Sequence, residues 1–155
     1  MSTRKSEHLH YYIIYAEVNN GPYTNICTSG QSTFLAPLTF DMGAIVAAGR
    51  SGGYNPFAAN AVVGHYGTFD YQRVVDAAGN TTFYSGFTDA SNFAVGAYLY
   101  GTGVSEGAAT MISNAYAAVG SSNAGDPNQA LYRNAGYESA ASGGQVSCSR
   151  FPWVP

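Results

Sequence analysis

Four residues, Asp126-Pro127-Asn128-Gln129, fix a helix start more firmly than any other point in the chain. An Asp at the N-cap accepts an orphan backbone N–H. Proline at N1 sacrifices a donor that would be unpaired anyway, and Gln at N3 suits a capping box. A helix is expected from Pro127 to about Ala141, where Gly143-Gly144 stops it. The period changes elsewhere. Leu9 to Val18 is dense in β-branched and aromatic residues and ends at the turn signal Asn19-Asn20-Gly21-Pro22, which reads as a strand. A chain carrying both periods has to join helices to a sheet.

The rest of the chain follows suit. Residues 19 to 36 read as loop around a short strand near Ile26. Leu38 to Ala48 carries Leu38, Met42, Ile45 and Val46 at helical spacing behind Pro37. Gly49 to Pro56 then reads as a glycine-rich loop without the Lys-Ser/Thr of a phosphate-binding P-loop. Phe69–Val75 and Thr81–Tyr84 form an expected hairpin around Ala77-Ala78-Gly79-Asn80. Asp89 or Ser91 caps a helix bearing Phe93, Ala97 and Tyr100, and Ser105 caps one from Glu106 to Val119. Gln145 to Phe151 suits a last strand. The expected class is α+β: a small antiparallel sheet (N-terminal strand, central hairpin, C-terminal strand) packed with three to four helices. A disordered tail over 1–8 precedes a single domain over 9–155.

Charge limits the partners. The 155 residues include six Lys and Arg against nine Asp and Glu, for a net charge of −3. Such a surface offers no extended nucleic-acid footprint, though a small nuclease site needs few cations. No apolar run approaches the roughly 18 residues of a membrane span, and no signal-peptide core follows the polar start. His8 and His10 share a strand face with no third ligand, which suits solvated surface. Cys27 and Cys148 have no zinc spacing. In an oxidising compartment they would close a loop of about 120 residues, worth roughly 4–5 kcal/mol on the chain-entropy model. No cofactor or metal is expected.

The stretch from His65 to Gly101 gathers chemistry-bearing residues that are scarce elsewhere. His65 is the candidate proton exchanger, Asp70 a candidate base or nucleophile, Arg73 an anion stabiliser and Asn92 a positioning amide. Asp126 is a fifth catalytic candidate, although capping alone accounts for its place. On a regular strand Asp70 and Arg73 point apart, so joining them takes an irregularity.

Three blocks carry a resemblance. Gly67-Thr68-Phe69-Asp70-Tyr71-Gln72-Arg73, then Phe87 to Phe93 with Gly96-Ala97 and Gly101, then Asp126-Pro127 with Gln129 and Gly136-Tyr137, resemble in order and spacing the polymorphic toxin type 44 domain. This chain has Phe69 where the family usually has Trp, Arg73 for its Lys, and Gly125 for a frequent acid. The resemblance implies an antibacterial toxin module delivered into competing bacteria by a secretion system, without a signal peptide of its own, and matched by a cognate immunity protein. Tyr66, Tyr71, Phe93 and Tyr137 are the expected substrate contacts.

The residues leave three activities open. A peptidoglycan hydrolase stands first, because tyrosines stack on sugars and two carboxylates about 5–9 Å apart cleave glycans, with Asp70 and either Asp89 or Asp126 as the pair. A metal-independent ribonuclease built on His65, Asp70 and Arg73 stands second. A non-catalytic carbohydrate- or protein-binding module is third.

Overall fold

A computed structural model describes residues 23–27, 33–120 and 125–143. The expected strands at Leu9–Val18 and Gln145–Phe151, the tail with His8 and His10, and the Cys27–Cys148 pairing lie outside those residues.

The fold is α+β and dominated by helix. Strands β1 (Tyr23–Cys27) and β2 (Thr33–Pro37) form an antiparallel hairpin with Ile26 opposite Phe34. Helix α1 (Met42–Gly52) follows, then α2 (Pro56–Val63). A second hairpin, β3 (Arg73–Val75) and β4 (Thr81–Phe83), leads through a 3₁₀ turn at Ser85–Phe87 into α3 (Thr88–Gly101). Helices α4 (Glu106–Gly120) and α5 (Pro127–Ala141) complete it. Among the described residues the strands form two separate antiparallel pairs, of which β3–β4 is the expected central hairpin, and the helices number five against the three to four expected.

Local signals account for the ends of these elements. Asp126 Oδ1 accepts Asn128 N–H at 2.9 Å, as the cap signature requires. Asn55-Pro56 repeats that signature, with Asn55 Oδ1 accepting the N–H groups of Phe57 at 2.9 Å and Ala58 at 3.3 Å. It starts α2 at the end of the expected Gly49–Pro56 loop. Helix α1 starts four residues later than Leu38 because Pro37 ends β2 and Asp41 supplies the cap, accepting Ala44 N–H at 3.0 Å. At the central hairpin, glycine is needed at Gly79 (φ 84°), and Asp76 Oδ1 accepts the N–H groups of Ala78 and Asn80 at 2.9 and 2.8 Å.

Helix α3 is the core. Ten of its fourteen residues are buried, and α1, α2, α4, α5 and β2 all pack on it. Phe93, wholly buried, meets Phe34 at 4.9 Å and Phe40 at 5.8 Å between ring centroids. Its two closest crossings are made by glycines. A Cβ on Gly96 would run into the backbone of Arg133 in α5, and one on Gly136 into that of Phe93. Gly49 and Gly101 play the same part between α1 and α3, against Tyr98 and Val46. The backbones touch, so no side chain fits between them.

Gly96→Ala and Gly136→Ala should therefore each destabilise the fold by about 1–3 kcal/mol or more, because a clashing backbone has no rotamer to yield. In a thermal melt this is a fall of several degrees. Gly107→Ala, on open α4 surface with nothing near the new Cβ, should raise stability by about 1 kcal/mol.

Candidate functional site

The segment between α2 and β3 was expected to be strand from Phe69 onward. It is a run of turns, and the strand begins only at Arg73. Gly67 N–H donates to Gly64 C=O at 2.9 Å, Asp70 N–H to Gly67 C=O at 3.1 Å and Arg73 N–H to Asp70 C=O at 3.2 Å. The segment also lies back on α2, with Phe69 N–H on Val62 C=O at 2.8 Å. Glycine allows this approach, since a Cβ on Gly67 would sit 2.8 Å from the Val62 carbonyl. In a turn, residues three apart share a side, which supplies the irregularity that joins Asp70 to Arg73.

Asp70 is the centre of this segment. Arg73 Nη1 donates to both its oxygens, at 3.2 and 3.0 Å, while the two side chains are only 2% and 9% exposed. Tyr66 N–H donates to Oδ2 at 2.8 Å, holding Tyr66 at φ 63°, a conformation that costs a residue with a Cβ about 1–2 kcal/mol. Ser91 Oγ donates to Oδ1 at 3.4 Å and accepts Gln72 N–H at 3.1 Å. Ser91 is thus a link from α3 to the turns and not a helix cap. Helix α3 starts at Thr88 with no side-chain cap.

Beside this clamp lies a cavity of about 150 Å³ between α2, α3, α4, α5 and the turns. His65, Asp70, Arg73 and Asn92 all line it, so four of the five expected catalytic residues meet. Asp126 does not; it is an exposed cap at the start of α5. Its charge instead reaches Asp89 in the first turn of α3, where burial first and Asp126 second push the Asp89 carboxyl above its ordinary value.

The expected substrate contacts fare differently. Tyr71 and Phe93 belong to the aromatic core, Tyr71 beside Phe40 at 5.5 Å, and are closed to a substrate. The rings face inward because that is where the hydrophobic gain lies, and burial raises the Tyr71 hydroxyl well above its usual range. Tyr137 packs edge-on to Tyr100 and donates its hydroxyl to Val104 C=O at 2.9 Å. Tyr66 is 59% exposed but outside the cavity lining.

Several lining residues went unread. Arg133 is 6% exposed, and its Nη2 donates to Asn114 Oδ1 at 3.0 Å. Among the described residues no carboxylate pairs with it, and burial pushes its guanidinium below the ordinary value. Gln72 Oε1, Asn92 Nδ2 and Tyr98 OH are buried in the lining without a hydrogen-bond partner. The available signal was Arg133 itself, a cation on the α5 stripe that continues through Gly136 and Ala140, where an apolar residue belongs. No group of three or more His, Cys, Asp or Glu is placed to hold a metal among the described residues, and no described helix is long and apolar enough to cross a membrane.

No family model matches the chain, nor does any curated protein or solved structure.

The clamp has a measurable worth. Asp70→Ala removes the carboxylate partner of buried Arg73 and should cost roughly 3–5 kcal/mol in denaturant unfolding. The double variant with Arg73→Met should cost less than the sum of the singles. Asp89 tests the other end of α3. Its carboxyl is raised above 3.8 in the fold, so its contribution to stability is complete below that pH and is lost as pH rises through the raised value. Asp89→Asn should therefore melt above the wild type at about pH 7, with the gap closing at about pH 3.

Proposed function

We propose that the chain is the toxin domain of an antibacterial effector and that it cleaves RNA without a metal at the His65–Asp70–Arg73 cavity. The observation that carries this reading is the state of Asp70. It is the only carboxylate among the described residues lining the cavity, and it is already bound to Arg73, Tyr66 N–H and Ser91. Glycan cleavage needs two working carboxylates, whereas phosphodiester cleavage needs a proton exchanger beside a fixed positive charge. His65 and Arg73, both in the cavity lining, supply that combination.

In this reading the ribose 2′-hydroxyl attacks phosphorus and passes its proton to His65. The bond from phosphorus to the 5′-oxygen breaks, the leaving oxygen takes a proton from water, and Arg73 offsets charge on the phosphoryl oxygens. Water then opens the cyclic phosphate. Asp70 positions Arg73 and the turn that carries His65, and Asn92 orients the substrate. The domain is delivered into target bacteria by a secretion system and neutralised in its producer by a cognate immunity protein.

Peptidoglycan hydrolysis is the second reading, favoured by Asp89 and Asp126. These are two neighbouring carboxylates of which Asp89 is raised, the asymmetry that suits a general acid beside a base. They lie outside the cavity lining. Expression in bacterial cytoplasm and, separately, behind a periplasmic signal separates the two. Cytoplasmic killing with degraded RNA, lowered about 10²–10⁴-fold in cleavage rate by His65→Ala, is expected. Killing from the periplasm alone, abolished by Asp89→Asn and untouched by His65→Ala, would select the wall.

A further inference from the structure

A buried arginine without an acid is a costly thing for a fold to keep. Desolvating a cation costs several kcal/mol unless a partner offsets it, and Arg133 has only the neutral Asn114 amide at 3.0 Å among the described residues. Arg133 lines the same cavity as Asn92, whose Nδ2 is a buried donor without a partner, and Gln72, whose Oε1 is a buried acceptor without one. Both side chains are more than nine-tenths buried, at 7% and 6% exposure. Arg73 lines the cavity too, but it is held by Asp70 and already assigned to the reacting phosphoryl group. Arg133 without a carboxylate, the donor Asn92 Nδ2, the acceptor Gln72 Oε1 and the hydroxyl of Tyr98 remain in the lining.

We infer that Arg133 and Asn92 Nδ2 form a phosphate subsite for one phosphodiester of the substrate, and that Gln72 Oε1 accepts the adjacent ribose hydroxyl. This rests on the ribonuclease reading and adds its specificity. One guanidinium matches the single charge of a diester, and charge-assisted hydrogen bonds from it are the strong kind. A cavity of about 150 Å³ is below the roughly 300 Å³ at which pockets enclose whole small molecules, so it admits a group and not a nucleotide. The base then lies outside, where Tyr54 and Tyr116, 63% and 39% exposed, stand at the rim as sequence-tolerant stacking surfaces.

The test titrates the purified chain with adenosine 3′-monophosphate, its 2′-deoxy analogue and muramyl dipeptide by calorimetry. Wild type should bind the ribonucleotide best. Arg133→Met should weaken it about 10- to 100-fold, the worth of a charged hydrogen bond, with Arg133→Lys between the two. Gln72→Met should bind the ribo and deoxy forms equally. Should Arg133→Met fail to fold, Arg133→Lys and Asn92→Leu carry the comparison. RNA cleavage by wild type together with nucleotide affinity indifferent to Arg133→Met and Arg133→Lys overturns the subsite alone. Preference for muramyl dipeptide with no RNA cleavage overturns both the subsite and the ribonuclease reading.

Discussion

Backbone contact along α3 is the constraint on which the structure depends. Gly96 and Gly136 bring α5 against one side of that helix, and Gly49 and Gly101 bring α1 against another. A helix buried on almost every side needs neighbours close enough to leave no void, and glycine gives that closeness at about 1 kcal/mol each in helix propensity. The loss is offset by packing along α3, from Ala90 to Leu99. Because α3 also carries Ser91, Asn92 and Tyr98, the element that holds the fold together holds one wall of the cavity.

The second constraint is the Asp70 carboxylate. Its four described contacts fix a left-handed residue, an arginine and a link to α3, and so turn a loop into a rigid wall. A carboxylate so engaged is a poor candidate for free acid–base work and well placed to hold Arg73 and Tyr66 where they are. The cavity lining carries two arginines against one carboxylate among the described residues, a cationic balance that the net charge of −3 conceals. Few cations suffice when they are buried, since a low-dielectric wall strengthens each one.

Much of the secondary structure was legible. The Asp126-Pro127 start, the Asp76–Asn80 turn, and the helices over Glu106–Gly120 and Thr88–Gly101 stand where composition and spacing put them. Helix α2 was missed although Asn55-Pro56 carries the same signature as Asp126-Pro127, because the flanking glycines dominated the reading. The strand at Phe69 failed for a physical reason: alternation of aromatic and polar residues suits a strand, but contact with Val62 and the Asp70 clamp favour turns. The packing brings four of the five catalytic candidates to one cavity, while Arg133, Gln72 and Tyr98 carry no motif.

By itself the sequence determined what is local: caps, turns and helix starts, whose hydrogen bonds close within four residues of chain, as from Asp126 to Asn128 or Asp76 to Asn80. The tertiary structure decided what depends on distant partners. Ser91 meets Asp70 across 21 residues, Gln72 meets Ser91 across 19, and Arg133 meets Asn114 across 19. Which face of Tyr71 or Phe93 is buried, and whether an arginine is paired, follow from those long-range contacts. A local pattern sets the periodicity of a segment, but only the completed packing sets what surrounds each side chain.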